Sequence, residues 1–386
     1  MNSGNNNSKY LKVAVIGAGS VGLATAAHLA ALGHHIRLWN RGESRISEIA
    51  NRGTITSCGC IDGEFQMNLV TDDFDEAISG AEWVFVCVPA SAHRDIAARL
   101  AVSDHCVRLV VLVPGRCLGS LDFENSYLGA GGKRTFMLAE TQTVPHTCRT
   151  LSQGNVYIYA LKRAVPLATL PHNDIEHVLD VLRDAKMNFI FSPSILDTAF
   201  LNMGALLHPT PTLMNVGWIE SQRTEFRYYY EGVTRGVARL LEHLDTERVF
   251  CATKYGVKAL TLVEWMAMCY ATTGETVYDA IHGNEAYRDI DAPKTIEHRY
   301  LHEDVPTGLV PLESLALAAG APHKAISLVI DMCSVLCNVD FRKCGRTLQS
   351  LGIAEHGLNG IIEIAGTGHH INPDVEQASG VPLKGT

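Results

Sequence analysis

The sequence predicts an α/β protein: an N-terminal Rossmann-type, doubly wound parallel sheet followed by an all-helical C-terminal domain. Three observations support this fold class. A strand pattern leads into a glycine-rich turn and a helix at residues 11–41. Two continuous apolar runs, at 82–90 and 108–115, are typical of parallel strands buried on both faces. From about residue 195 onward, apolar side chains recur at the period of an α-helix.

The chain of 386 residues is long enough for two domains with separate cores. We expect a flexible leader at 1–8, a dinucleotide-binding domain at 9–194, a helical domain at 195–370 and a flexible tail at 371–386. The polar N-terminus lacks the apolar stretch of a secretory signal. No run of about 18 apolar residues predicts a membrane-spanning helix.

The net charge limits the classes of partner to expect, and the pattern of cysteines indicates the redox compartment. The formal net charge of −9 gives no electrostatic reason to expect nucleic acid or an anionic membrane as a partner. The 11 cysteines and 17 histidines are not arranged at the spacing of a zinc site, so we predict no metal. Scattered cysteines of this kind are typical of free thiols in a reducing compartment, which favours the cytoplasm.

The first βαβ unit contains the turn GAGSVG at residues 17–22. Gly17 allows the tight turn, Gly19 lets the backbone approach a pyrophosphate, and Gly22 lets the helix pack closely on the strand. The N-terminus of the helix offers free N–H groups to the phosphates. The predicted cofactor-binding residues of this turn are Gly17, Gly19, Ser20, Val21 and Gly22.

The end of the second strand bears on the choice of dinucleotide. Enzymes that use NAD usually place Asp or Glu there to hold the ribose 2′-hydroxyl. This chain has Asn40 and Arg41, with Arg45 one helical turn later. An amide beside guanidinium groups suits a 2′-phosphate, so these three residues favour NADPH over NADH. Alternatively, Arg41 covers the adenine face and permits either cofactor.

Further strands should complete the sheet. The run at 82–90 ends in a turn that adds Val88 and Pro89 to the predicted cofactor site, at the carboxyl edge where doubly wound sheets bind ligands. TFMLAET at 135–141 predicts another strand, which places Glu140 near the same edge. The segment 156–171 is expected to form a hairpin that finishes the domain.

In the second half, the segments 247–270 and 322–337 are predicted helices, and LESLALAAGAP carries a Gly-then-Pro stop signal. A helical domain after a nucleotide-binding domain implies a cleft between them, where a substrate should lie.

Two polar stretches mark the expected cleft. FLNMGALLHPTPTLMN, at 200–215, is interrupted by Asn202 and contains His208, which Pro209 should place at the end of an element. HRYLHEDVPTGLVP, at 298–311, contains Arg299 and Asp304. Because Asp304 precedes Val-Pro, we expect any helix to end there. Arg299 and Asp304 would then converge through a turn. Spacing alone does not support a catalytic assignment, because a capping histidine and a solvated ion pair commonly produce the same pattern.

Four motifs occur in order: AETQTVPHTCR at 139–149, LLHPTPTLMN at 206–215, RYYYEGVTRGVARLLEHLDTERV at 227–249 and DIDAPKTIEHRYLHEDVP at 289–306. Together with GAGSVG, they resemble the opine dehydrogenases, which include the crown-gall octopine and nopaline synthases. The resemblance implies that the helical domain is of the opine dehydrogenase type. It also implies that an α-keto acid, often pyruvate, is joined to the amino group of an amino acid and that the imine is reduced with NAD(P)H.

The resemblance also assigns residues. It implies that His208 is the catalytic histidine, Asp304 its acidic partner and Arg299 the ligand of the keto-acid carboxylate. Glu140 and Cys148 match positions near the substrate, and Asn202 is a further candidate for substrate binding. One departure is His146, where the family commonly has an aromatic residue after proline.

Other interpretations stay open at this stage. The chain could be a 2-hydroxy-acid or sugar-acid dehydrogenase that needs no amine, or an NADP(H)-binding regulator without catalysis. The run Tyr228-Tyr229-Tyr230 fits helix packing better than pocket lining. The sequence specifies neither the two substrates nor the oligomeric state, for which a homodimer is one alternative.

Overall fold

A computed structural model describes residues 10–221 and 225–368. The predicted leader at 1–8 and tail at 371–386 lie outside these residues. The strands are β1 (Lys12–Ile16), β2 (His35–Trp39), β3 (Thr54–Gly59), β4 (Gly63–Gln66), β5 (Leu69–Thr71), β6 (Trp83–Val86), β7 (Leu109–Leu112), β8 (Met137–Thr141), β9 (His146–Ser152), β10 (Asn155–Leu161), β11 (Val165–Leu170) and β12 (Phe189–Phe191).

The first domain contains helices α1 (Ser20–Ala31), α2 (Ser47–Arg52), α3 (Phe74–Ile78), α4 (His93–Val102), α5 (Gly119–Gly129) and α6 (Ile175–Val181). The second part contains α7 (Ile195–Phe200), α8 (Gly204–Leu207), α9 (Pro209–Met214), α10 (Val216–Ser221), α11 (Arg235–Lys254), α12 (Leu262–Tyr270), α13 (Val277–His282), α14 (Arg299–His302), α15 (Val310–Ala318), α16 (Lys324–Cys337), α17 (Phe341–Cys344) and α18 (Gly357–Thr367).

The main sheet has the strand order β12-β11-β8-β7-β6-β1-β2-β5. The strands pair in parallel except for β8 and β11, which are antiparallel. The chain moves outward from β1 on one side through β2, and on the other side through β6, β7 and β8. This arrangement confirms the predicted Rossmann-type sheet. It places the topological switch point, where the strand order reverses, between the parallel neighbours β1 and β6, and dinucleotides bind at such a point.

A second sheet, with the order β4-β3-β10-β9, packs against α1. The predicted hairpin at 156–171 is therefore wrong, because β10 pairs with β9 and β3 while β11 pairs with β8 in the main sheet. The burial patterns explain the difference. Buried and more exposed positions alternate along most of β10, so only one of its faces is covered. In contrast, β11 is buried at every position, as expected for a strand in a sheet that is covered on both faces.

The helical part confirms most of the predicted elements, including α16 and the end of α15 before Gly320. The predicted helix at 247–270 is divided between α11 and α12. Gly256 adopts a φ of +71°, which ends the first helix. Thr261 then starts α12 with a capping box, because its hydroxyl accepts from Glu264 N while the Glu264 carboxylate accepts from Thr261 N.

The segment around Asp304 also differs from expectation. The helix α14 ends at His302, two residues earlier than predicted, and Val305–Leu309 forms a π-helical turn that runs into α15. Pro306 does not end the helical segment, because it occupies the first turn of Val305–Leu309, where its missing N–H group is not needed. Among the described residues, no helix is both long and apolar enough to cross a membrane.

Candidate active site

The glycine-rich turn follows β1 and has the geometry of a dinucleotide-binding loop. Gly17 has a φ of +112°, and a Cβ atom on Gly22 would lie 1.7 Å from the Gly17 carbonyl oxygen, so both positions require glycine. A Cβ on Gly19 would meet nothing within 4 Å, which leaves open space beside the loop. No side chain caps the N-terminus of α1, so its N–H groups can hold a pyrophosphate.

The other predicted cofactor residues surround this loop. Asn40 accepts a hydrogen bond from Ala18 N at 3.2 Å, which ties the end of β2 to the turn. Arg41 and Arg45 are exposed beside it. Val88 lies across the turn, with its Cγ1 2.9 Å from the position of a Cβ on Gly17, and Pro89 follows it on the surface. The residues present therefore fit a dinucleotide.

His208 and Asp304 meet although they are 96 residues apart. His208 lies between α8 and α9, and its Nδ1 is 2.8 Å from Asp304 Oδ2. The imidazole also stacks on Tyr300, with ring centroids 4.2 Å apart. Asp304 is completely buried, and burial acts to raise its pKa, but the positive charge of Arg116 and the contact with His208 hold the pKa below its usual range.

Arg116 is a central residue that the sequence analysis missed. Its guanidinium group lies 2.8 Å from Asp304 Oδ1 and 3.3 Å from Glu303 Oε1, so it neutralises two buried carboxylates. It lies in the turn after β7, four residues past Leu112, where it adopts a φ of +64°. A charged residue in the turn after a buried strand, at the carboxyl edge of the sheet, was the available signal.

A cavity of about 200 Å³, which we call the catalytic cavity, lies between the two domains. The first domain lines it with Arg116, Gln142, Thr143 and Lys162, among others. The helical domain lines it with Asn202, His208 and Arg299, and with an aromatic wall composed of Tyr229, Trp265, Tyr270 and Tyr287. Arg299 is exposed to solvent and forms no ion pair with any described residue. The predicted cleft is thus present, with His208 and Arg299 in its lining.

Asn202 lines the cavity as well, but its side chain is also used structurally. Its Oδ1 accepts from Arg116 at 3.4 Å, and its Nδ2 lies 3.6 Å from Cys117 Sγ. Its predicted role in substrate binding stays a prediction.

Comparison with known proteins assigns the chain to a family. The family model described as NAD-dependent glycerol-3-phosphate dehydrogenase N-terminus matches residues 12–117, and that described as NAD/NADP octopine/nopaline dehydrogenase, alpha-helical domain matches residues 191–337. The opine dehydrogenase of Arthrobacter sp. (strain 1C) is 36% identical over 88% of this chain and 95% of its own length. The chain belongs to the opine dehydrogenase family.

More distant relatives share the fold. Vitopine synthase of Allorhizobium ampelinum is 26% identical over 89% of this chain and 95% of that protein. A solved octopine dehydrogenase with NADH and L-arginine superposes with a TM-score of 0.76 at 20% identity, covering 93% of this chain and 99% of that one. Yersinopine dehydrogenase with NADP+ bound gives a TM-score of 0.72 at 15% identity, covering 92% and 98%.

The predicted family, fold class and enzyme class are therefore confirmed. This opine dehydrogenase is an NAD(P)-dependent oxidoreductase that acts on the CH–NH group of a secondary amine. The preference between NADPH and NADH, the roles of individual residues and the substrates remain predictions.

Two residues that the family resemblance placed near the substrate, Glu140 and Cys148, are not in the lining of the catalytic cavity, and their roles stay predictions. Glu140 is fully buried at the end of β8 and does not line the cavity. Its two oxygens accept hydrogen bonds of 2.6 Å from Ser120 N and from Thr198 Oγ1, so it links the sheet to α5 and α7. Cys148 is also absent from the lining, and its thiol donates to Ser20 O at 3.4 Å.

The departure from the family at His146 is also explained by packing. His146 is buried on β9, outside the cavity lining, and its Nε2 lies 2.9 Å from Nδ1 of His28 on α1. Burial lowers the pKa of His146 to about 3, so the pair is uncharged at neutral pH. The tyrosine run divides between the two expected roles, because Tyr229 lines the cavity while Tyr228 is buried and hydrogen-bonds to the His208 carbonyl oxygen.

One group of side chains outside the cavity bears on the prediction of no metal. Ligand atoms of Glu297, His302 and Cys337 lie within 4.8 Å of one another. The His302 Nε2 atom lies 2.9 Å from Glu297 Oε2, and this contact accounts for their approach. We assign no metal to this group.

Proposed function

We propose that this opine dehydrogenase joins an α-keto acid of the pyruvate type to the amino group of an amino acid, giving an N-(1-carboxyalkyl) amino acid. The amine nitrogen bonds to the keto carbon, water leaves, and the resulting imine takes up a hydride and a proton. The observation that carries this proposal is the His208–Asp304 pair at a cavity that Arg299 also lines.

We assign the proton transfers to His208. Its Nδ1 is held by the Asp304 carboxylate at 2.8 Å, which leaves Nε2 to act toward the cavity. There the ring can accept a proton from the ammonium group of the amino acid and return one to the departing carbinolamine hydroxyl. Asp304 holds the tautomer and stabilises the imidazolium, an assistance typically worth about 10² to 10⁴ in rate.

Arg299 is the proposed ligand of the keto-acid carboxylate. Its guanidinium group can make two parallel hydrogen bonds to a carboxylate. It forms no ion pair within residues 10–221 and 225–368, whereas Arg116 is already bound to Glu303 and Asp304. Of the two arginines that line the cavity, Arg299 is therefore the one available to a substrate.

NADPH is the proposed cofactor, and when bound it supplies the hydride that reduces the imine. The backbone of Gly17, Gly19 and Gly22 would approach its pyrophosphate, and Arg41 and Arg45 would bind its 2′-phosphate. The cytoplasm is the proposed location, supported by the free state of all the cysteines.

Two other functions predict different results. A 2-hydroxy-acid dehydrogenase would oxidise the cofactor with a keto acid alone. A cofactor-binding regulator would consume no cofactor at all, and the buried acid–base pair has no purpose in such a protein. A regulator does not explain why His208, held by Asp304, and Arg299 line one cavity. A hydroxy-acid dehydrogenase could use the same three residues, so the requirement for an amine decides between it and the proposed function.

The proposal is tested by NADPH and NADH depletion with pyruvate, glyoxylate or 2-oxoglutarate, each combined with the proteinogenic amino acids. We expect depletion only when both substrates are present, and a product whose mass equals that of the two substrates minus one oxygen atom. Depletion with keto acid alone would instead support the hydroxy-acid dehydrogenase. Absence of depletion, with cofactor binding intact by fluorescence titration, would contradict the proposal.

A further inference from the structure

Lys162 is a cationic residue in the lining of the catalytic cavity, and the proposed mechanism assigns no role to it. It lies at the link between β10 and β11, and its ammonium group donates to Thr143 Oγ1 at 2.6 Å. An ammonium group has three donors, so two remain for a ligand. Among the described residues it has no acidic partner, in contrast to Arg116.

The surroundings of Lys162 are unfavourable for an unpaired charge. Burial lowers its pKa to about 8; the nearby thiols of Cys269 and Cys148 oppose this shift, and the positive charge of Arg116 adds to it. Lys162 is partly buried; a desolvated cation without a counter-ion is costly, and an anionic ligand would remove the cost. The lining of the cavity therefore carries a second anion-binding group besides Arg299.

Lys162 lies close to α12, which carries Trp265 and Tyr270 of the aromatic wall. Cys269, whose thiol interacts with the lysine charge, is on α12 next to Tyr270. Tyr270 contacts Trp265 and Tyr287, with ring centroids 5.8 Å and 5.3 Å apart, and Tyr287 stacks on Tyr229 at 4.1 Å. A ligand anion on Lys162 would thus have aromatic rings beside it.

The described side chains that line the cavity include no Asp or Glu. The carboxylates of Glu303 and Asp304 lie behind the lining, bound to Arg116 and His208. A cationic side chain on the amino acid substrate would therefore meet Lys162 and Arg299 with no carboxylate in the lining to offset their charge. Such a cavity favours neutral side chains over cationic ones.

We propose that Lys162 binds the α-carboxylate of the amino acid substrate, and that the aromatic wall selects amino acids with neutral apolar or aromatic side chains. This inference rests on the proposed function, whose product carries two carboxylates. Arg299 would take the carboxylate of the keto acid and Lys162 that of the amino acid, so each would have its own cation.

The first test uses the wild-type enzyme with a saturating keto acid and compares L-phenylalanine, phenethylamine and L-arginine. Phenethylamine is phenylalanine without its carboxylate. Because a desolvated charge pair is lost with the carboxylate, we expect kcat/KM for phenylalanine to exceed that for phenethylamine by about 100-fold. Phenylalanine should exceed arginine by at least about tenfold. Equal use of phenethylamine, or a preference for arginine, would overturn the inference.

The second test uses Lys162→Met, Lys162→Arg and the neighbouring exposed residue in Arg163→Met as a control. Lys162→Met should raise KM for phenylalanine by about 100-fold, since the carboxylate loses its partner, and should leave kinetics with phenethylamine and KM for the keto acid nearly unchanged. Lys162→Arg should retain most of the affinity, and Arg163→Met all of it. Thermal unfolding checks that each variant is folded.

The results separate the two proposals. An increase in KM for the keto acid rather than for phenylalanine in Lys162→Met would assign Lys162 to the other substrate and refute the inference while leaving the proposed function intact. If no combination of amine and keto acid depletes NADPH in the wild type, the proposed function fails and the inference fails with it.

Discussion

The cofactor loop at residues 17–22 and the catalytic cavity differ in how far apart along the chain their functional groups lie. The loop is one continuous turn between β1 and α1, and its requirements are steric: space at Gly19 and close contact at Gly22. The cavity takes Arg116 and Lys162 from the sheet domain and His208 and Arg299 from the helical domain, and Asp304 lies behind its lining. Its requirements are electrostatic, and they are met only when both domains have packed together.

The two regions also differ in the polar groups that they use and in how these groups are paired. The loop uses backbone N–H groups that the α1 terminus leaves free, so it needs no charged side chain. The cavity instead places Asp304 out of contact with water, and Arg116 must follow it there. A buried carboxylate with a cation on one oxygen and an imidazole on the other is fixed in position, which is what an acid–base partner needs.

The largest expected effect concerns the cavity. His208→Ala and Asp304→Asn should each lower kcat/KM by at least about 100-fold, because the first removes the proton carrier and the second its negatively charged partner. Cofactor affinity, measured by fluorescence titration, should stay within about twofold, since the loop lies elsewhere. The surface replacements His177→Ala and Asp289→Asn serve as controls. Wild-type-like kinetics in both cavity variants would remove the pair from the mechanism.

A smaller effect should distinguish the two glycines within the loop. Gly22→Ala should lower the free energy of unfolding by about 1–3 kcal/mol, because its Cβ would lie 1.7 Å from the Gly17 carbonyl oxygen. Gly19→Ala meets no atom within 4 Å, so stability without cofactor should hold while cofactor affinity falls. Chemical denaturation and cofactor titration measure the two quantities. Unchanged cofactor affinity in Gly19→Ala would show that the space at Gly19 serves no ligand.

This contrast explains what the sequence could and could not predict. The loop, β6, β7 and α16 were predicted because each depends on a pattern of neighbouring residues. The pairing of β10 with β3, 100 residues earlier, depends on packing against α1, and periodicity contains no record of it. His208 and Asp304 were found only through resemblance to a family, because neither residue type nor spacing distinguishes them from a capping histidine and a solvated carboxylate.

Arg116 and Glu140 show how little a position at the end of a strand predicts about the role of a side chain. Both follow or end a buried strand at the carboxyl edge, and both are buried. Arg116 points to Asp304 and the cavity, whereas Glu140 points to Ser120 and Thr198. Contacts with α5, α7 and the helical domain determine which way each side chain points. A position at the end of a strand does not specify this direction.

A more modest effect is expected near the cofactor loop, where Arg41 should influence the choice between NADPH and NADH. Arg41→Ala should raise KM for NADPH by about tenfold and leave KM for NADH nearly unchanged, because a guanidinium–phosphate contact is lost only with the 2′-phosphate. The exposed Arg52→Ala, on α2, is a matched control. If Arg41 instead covers the adenine ring, KM should rise equally for both cofactors, and initial rates at varied cofactor concentration decide between the two.

The smallest expected effect is a pH dependence on the cavity side. Lys162 has a pKa lowered to about 8, so in the free enzyme it is charged below this pH and increasingly neutral above it. The ratio of kcat/KM for phenylalanine between wild type and Lys162→Arg should therefore fall several-fold from pH 7 to pH 9, because the arginine keeps its charge throughout. Taking the ratio cancels the titration of the substrate amine.

The groups around Lys162 do not mimic this profile. Burial raises the pKa of Cys148 to about 12, so this thiol stays protonated over the interval, and burial also raises the pKa of Cys269. The pKa of Arg116 is raised by its two carboxylates although burial opposes this, so Arg116 remains charged. The cofactor loop has no titrating group in its proposed contacts, so cofactor affinity should be flat over the same interval. A flat ratio for phenylalanine would instead place Lys162 outside the binding step and reduce its role to packing beside Thr143.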